Sequence, residues 1–229
     1  MNLWNLSLRL KLKDLIMSIN AELNASVFRH EFLFPYLNEA YSILIKSCSD
    51  ILRSGKKYTI YNENILRDDL LRIAELKNKN LQFVWDTESR NLQSNEVRID
   101  ISLIYSLNIK SVEERISIEC KLISLKKCKD YIDRNGIISF VNGKYSSKLP
   151  ISGMIGFQEN DNLNDIIIKL NKLLRSHSNI KTIQDLKYFS ITNSFKDSYS
   201  SNHKRTKNFP PIEIYHLFFD FKKLIDINN

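Results

Sequence analysis

The chain has 229 residues, of which 43% are hydrophobic and 26% charged, and it carries a net charge of +8. That length suffices for one substantial core or two small domains, and that apolar content excludes a disordered chain. No apolar run approaches the ~18–20 residues that a membrane-spanning helix needs. Charges at Arg9, Lys11, Lys13 and Asp14 break the N-terminal apolar stretch, so no signal peptide, no membrane partner and a cytoplasmic location are expected.

Cys48, Cys120 and Cys128 are the only cysteines, and neither they nor the four histidines show metal-ligand spacing. A disulfide framework and a structural zinc are therefore excluded at the sequence level. The basic balance points to a polyanionic partner, because Lys and Arg neutralise phosphates and release counterions. The bases cluster. Lys121, Lys126, Lys127, Lys129, Arg134, Lys144 and Lys148 face only Asp130 and Asp133 in their segment, and Lys196, His203, Lys204, Arg205 and Lys207 form a second group. A solvated face normally mixes signs, so Lys126, Lys127, Lys144, His203 and Arg205 are candidate phosphate contacts. For His203 and Arg205 a loop that merely packs is an equal reading.

In chain order, residues 6–13 alternate like a strand, but the spacing beyond Leu12 drifts toward a helix, and both readings stay open. Tyr36, Leu37, Ala40, Ile43, Leu44 and Ile51 give a helical period that starts after Pro35 and is closed by Gly55. A second helix is predicted from about Glu63 to Asn78, with Asn62 as N-cap and a stripe of Ile65, Leu66, Leu70, Ile73 and Leu76. Alternation then predicts three antiparallel strands near 81–86, 97–107 and 115–123. A short helix is expected at 125–134. Gly136, Gly143, Gly153 and Gly156 mark a shaped loop region that leads into a strand at 151–158. A clear amphipathic helix covers 161–175. Two C-terminal strands are predicted at about 187–195 and 211–221, separated by a Ser-rich basic loop. The whole reads as mixed α/β.

Parity on the second and third strands gathers Asp100, Glu119 and Lys121 on one face, opposite Ile99, Ile101, Leu103, Ile118 and Cys120. Two carboxylates on strands ~4.8 Å apart repel unless a cation sits between them. Mg²⁺ suits that set, and Mn²⁺ is a plausible substitute: it takes one or two carboxylates plus water and phosphate oxygens. Lys121 is placed to stabilise charge building on a phosphate. The spacing alone is weak. Glu75-Leu76-Lys77 repeats Glu-x-Lys within a helix, where residues two apart diverge by about 200°. On alternation alone, an amphipathic hairpin with a cross-strand salt bridge fits as well.

The order of elements separates the two readings. A helix opening on Glu63, a strand, the Asp100 strand, the Glu119-Cys120-Lys121 strand and a following helix resemble the PD-(D/E)xK, restriction-endonuclease-like nucleases over residues 60 to 175 or so. Ile99 stands where that family has Pro. Arg98-Ile-Asp-Ile, Ile118-Glu-Cys-Lys-Leu, the segment from Tyr131 to Tyr145, Gly153-Met-Ile-Gly-Phe, Ser201-Asn-His-Lys-Arg and His216-Leu-Phe-Phe-Asp are similar to a bacterial group within it. The resemblance implies an αβββαβ core at 61–229 with a C-terminal β extension and an N-terminal helical region at 1–60 packed on it, together one domain. It implies metal ligation by Asp100 and Glu119, a catalytic Lys121, an auxiliary first-helix acid at Glu63 and an accessory acid at Glu88. It also implies Mg²⁺-dependent cleavage of DNA in restriction or anti-phage defence, as a homodimer or with a partner protein. RNA or branched DNA are alternative substrates, and a non-catalytic nucleic-acid- or protein-binding module is the rival function. His216, among Leu217, Phe218 and Phe219, is expected to be a satisfied core histidine.

Overall fold

The computed structural model describes residues 21–60, 62–78, 84–90, 98–104, 115–206 and 209–224. The segment 6–13 lies outside them. The elements are α1 (Ala21–Ser54), α2 (Glu63–Lys77), β1 (Val84–Arg90), β2 (Arg98–Ile104), β3 (Ile116–Ile123), a 3₁₀ turn (Leu125–Lys127), α3 (Cys128–Asp133), α4 (Ile137–Val141), β4 (Ile151–Gln158), α5 (Leu163–Ser176), β5 (Lys181–Tyr188), β6 (Ser198–Lys204) and β7 (Ile212–Asp220). The architecture is mixed α/β, and among the described residues no helix is long and apolar enough to cross a membrane.

The strands form one seven-stranded sheet in the order β1-β2-β3-β4-β7-β6-β5. β1, β2 and β3 make the expected antiparallel meander. β4 then runs parallel to both β3 and β7, which requires the crossover that α3 and α4 supply. Every residue of β4 is buried, as befits a parallel strand with both faces covered. Gly153 leaves room on it. A Cβ there would lie 2.2 Å from the Tyr41 hydroxyl, which passes over β4 to donate to the Tyr215 carbonyl at 2.8 Å.

Two apolar layers flank the sheet. Leu37, Leu44, Leu66 and Leu70 of α1 and α2 pack with Ile101, Leu103, Ile118 and Cys120 on one side. Tyr131, Phe140, Ile166 and Leu170 of α3, α4 and α5 pack with Met154, Ile214 and Phe218 on the other. α1 thus belongs to the same core as the sheet.

Three expectations are corrected. α1 does not start after Pro35 but runs through it. Pro35 is exposed, so the carbonyl freed by its missing N–H faces water, where the loss is tolerated. The predicted strand at 187–195 is displaced: β5 ends at Tyr188, and the Ser-rich segment expected as a loop is itself a strand, β6, paired on both sides. Small buried Ser198, Ser200 and Ser201 let β6 fit between its neighbours. The buried face of α2 is Leu66, Arg67, Leu70, Leu71 and Ala74, whereas Ile65 and Leu76 of the predicted stripe are exposed.

Candidate active site

α2 begins where the sequence places it, with the Asn62 side chain accepting from Asn64 N at 3.0 Å and Ile65 N at 3.2 Å. That cap sets Glu63 at the first helical position, over the edge of β3. The β2–β3 ladder pairs Ile101 with Ile118, Ser102 with Ser117 and Leu103 with Ile116. The ladder ends at Ile101 and Ile118, one residue short of Asp100 on β2 and of Glu119 on β3. In the β1–β2 ladder, Glu88 falls between the pairs Thr87–Ile101 and Ser89–Ile99, across from Asp100. Ile99 packs in the layer opposite Ile101 and Leu103, so the regular alternation of β2 fails beside Asp100.

β2 and β3 fork at this point. Beyond Ile118, the N–H groups of β3 that a continued ladder would use donate to carboxylates instead. Cys120 N donates to Asp100 Oδ2 at 2.9 Å, and Leu122 N donates to Glu63 Oε2 at 3.0 Å. Burying an N–H without an acceptor is costly, and the two acids remove that cost while filling the fork.

Lys121 closes the cluster. Its Nζ donates to Glu119 Oε1 at 2.7 Å and to the Cys120 carbonyl at 3.0 Å, and lies 3.4 Å from Glu63 Oε1. Glu119 is 3% exposed. Its second oxygen, Oε2, has no hydrogen-bond partner among the described residues. Burial, reinforced by the Asp100 charge and opposed by Lys121, pushes the Glu119 carboxyl up to about 8. Burial also works against the Lys121 ammonium, but Glu119 and Glu63 outweigh it and hold that group above the usual lysine range. The structure therefore brings Glu63, Asp100, Glu119 and Lys121 together. Glu75-Leu76-Lys77, the repeat of the motif, is elsewhere on α2, where Lys77 pairs with Asp50 at 2.5 Å.

One residue of the cluster, Arg67, escaped the sequence reading, whereas Tyr145 lies in the segment expected to flank the site. Arg67, one helical turn after Glu63, is 1% exposed, and its NH1 donates to Asp100 Oδ1 at 2.9 Å. The four-residue spacing from Glu63 puts both on one helix face and was the available signal. Tyr145 is buried; burial, with the charges of Glu119 and Asp100, raises its phenol above the usual range, which places its ring in the field of the site.

The expected phosphate contacts divide. Lys126 is exposed on the turn after β3. Lys127 pairs with Glu159 at 2.6 Å, and Lys144 donates to Asn135 Oδ1 at 3.0 Å. His203 and Arg205 are buried, contrary to the phosphate-contact expectation. The His203 ring lies between Ser201 and Thr182. Arg205 donates to the carbonyls of Phe140 at 3.1 Å, Ser147 at 2.9 Å and Ser146 at 2.8 Å. Burial lowers its guanidinium to about 10. It clamps the segment after α4, and Ser146 Oγ in turn accepts Ser117 N of β3 at 3.0 Å. Arg205→Met removes three hydrogen bonds, although Gly143 N still donates to the Phe140 carbonyl and Leu149 N to that of Ser146, and should cost roughly 2 kcal/mol of stability, read from the urea midpoint. Arg205→Lys should rescue little, because an ammonium cannot reproduce the planar fork.

Among the described residues no group of three or more His, Cys, Asp or Glu side chains is spaced to hold an ion. Two carboxylates suffice for Mg²⁺ when water and phosphate oxygens complete its shell. Asp100 and Glu119 are hard oxygen donors on neighbouring strands, and Glu119 Oε2 is buried with no hydrogen-bond partner among the described residues. A pair of carboxylates of this kind is a donor set that one divalent cation takes. No protein-family profile matches the chain, and no curated protein or solved structure does either.

Proposed function

We propose that this chain is a Mg²⁺-dependent endonuclease that hydrolyses DNA phosphodiester bonds. One observation carries the proposal: Asp100, Glu119 and Lys121 meet at the fork of β2 and β3, with a buried carboxylate oxygen of Glu119 left without a partner. The motif resemblance to PD-(D/E)xK nucleases supports the same reading, and so does the element order α2-β1-β2-β3-α3. Asp100 and Glu119 would hold the cation, which when bound polarises the scissile phosphate and lowers the pKa of an attacking water. Lys121 Nζ, held by Glu119 and the Cys120 carbonyl, offers a fixed positive charge to a phosphate oxygen. Glu63 holds the Leu122 N–H and stands beside Lys121, so it keeps the ammonium in place. Lys126 is an exposed charge for the DNA backbone. Action in the cytoplasm against foreign DNA, as a homodimer or with a partner protein, extends the proposal through the same resemblance.

Supercoiled plasmid incubated with the purified full chain and Mg²⁺ should be nicked or linearised, and EDTA should stop the reaction. Plasmid left intact with both Mg²⁺ and Mn²⁺ overturns the proposal, and cleavage of RNA or branched DNA alone reassigns the substrate. DNA affinity should fall with salt on a log–log slope of about −0.9 per phosphate contacted. The Arg67–Asp100 ion pair favours one rival, a non-catalytic module in which the acids are purely structural. That rival predicts salt-dependent binding with no Mg²⁺-dependent cleavage.

A further inference from the structure

We propose that Arg67 is a built-in counter-cation that competes with the divalent ion for Asp100 and so sets the metal affinity of the site. The inference rests on the metal-site reading above and goes beyond it, because it assigns a regulator to that site on α2. The Arg67 side chain is 2% exposed, and its NH1 lies 2.9 Å from Asp100 Oδ1. The other Asp100 oxygen takes the Cys120 N–H. The charge of Asp100 is thus already balanced from within the chain.

A buried guanidinium keeps its charge and needs a compensating anion. Arg67 has a second one. Its Nε donates to Asp68 Oδ1 at 2.9 Å, and NH2 lies 2.8 Å from the same oxygen. Asp68 is 61% exposed at the side chain. The contact with Asp100 is therefore separable, since releasing it leaves the guanidinium held by Asp68. A divalent ion on Asp100 would sit beside that guanidinium and be repelled by it. Arg67 and the ion then weaken each other's hold on Asp100 by the same factor, as linkage requires. Asp68 tunes the balance from outside by drawing the guanidinium away.

The test is Mn²⁺ binding without DNA, read by the electron paramagnetic resonance of free Mn²⁺, on the full chain and on two variants. Arg67→Met should bind Mn²⁺ about tenfold tighter. Asp68→Asn should bind it roughly threefold weaker, because the guanidinium then commits to Asp100. If Arg67 merely positions Asp100, Arg67→Met binds more weakly and Asp68→Asn is unchanged; either result overturns the inference. Asp68 is exposed, so Asp68→Asn decides the matter alone should Arg67→Met fail to fold. A wild-type chain that takes up no Mn²⁺ sinks the metal-site reading and this inference with it. A wild-type chain that binds Mn²⁺ while Arg67→Met binds no tighter sinks only the inference.

Discussion

Lys121→Ala should cut supercoiled plasmid at least about a hundredfold more slowly than the wild-type chain while binding DNA almost as well. The expectation follows from where the charge sits. The ammonium is 13% exposed at the side chain and anchored by Glu119 at 2.7 Å, so it is held in one place at the mouth of the cluster. A preorganised charge of that kind acts mainly on the charge that builds during reaction, and it adds little to the affinity of a long polyanion that many surface lysines already attract. The variant should still fold. Without Lys121, Glu119 loses the partner of Oε1, but burial and the neighbouring Asp100 favour a proton there, and a neutral acid is tolerated where an unpaired carboxylate is not. Circular dichroism checks that point before rates are compared. Plasmid cleavage at the wild-type rate by both Lys121→Ala and Asp100→Ala would refute the catalytic assignment.

Much of this site was legible because local chemistry and parity agree. Asn62 and Glu63 open a helix by composition alone, and the alternation of β3 fixes which side of the strand Glu119 and Lys121 share. The same reasoning rejected Glu75-Leu76-Lys77, and Lys77 indeed turns to Asp50. Arg67 was legible only through its four-residue spacing from Glu63. It sits beside Leu66 in a charged stretch, and a helical stripe drawn from apolar residues alone assigns it to water. Its local partner Asp68 is adjacent in sequence, but the pairing with Asp100 comes from the fork of β2 and β3, a tertiary feature. The Ser-rich strand was hidden for a related reason. Serines next to Asn and Lys read as a loop, because local backbone hydrogen bonding by Ser favours turns. In place, β6 is paired on both sides, and its serines supply small volume and a bridging hydroxyl. His203 and Arg205 then followed the strand inward instead of standing on a basic loop.

That inward turn creates an acid-sensitive core, the second large expected effect. Tyr131 Oη meets His216 Nδ1 at 3.0 Å, His216 Nε2 meets Ser201 Oγ at 2.9 Å, and Ser201 Oγ meets His203 Nε2 at 2.9 Å. Both rings are fully buried. Burial lowers His203 to about 4, with Asp185 opposing; burial, together with the neighbouring His203, lowers His216 to about 3. Below the ordinary histidine value of ~6.5, the unfolded chain binds protons that the folded chain refuses. The stability due to neutral His203 and His216 is therefore complete above that value and lost as pH falls toward the folded values. Glu119 works in the opposite sense: its carboxyl is raised to about 8, so in the metal-free chain its share of stability is present at low pH and lost as pH rises through that value. The two trends partly cancel in the wild-type chain. In Glu119→Gln only the histidine trend survives, and unfolding free energy should drop by about 4 kcal/mol between pH 7 and pH 5, roughly 2 from each ring. A drop of that size is comparable to the whole stability of a marginal domain, so thermal unfolding of Glu119→Gln should shift steeply downward over this range while the wild-type curve stays shallower. Parallel pH profiles for the two proteins would show that Glu119 is not raised, and a flat Glu119→Gln profile would show that the histidines are not buried neutral.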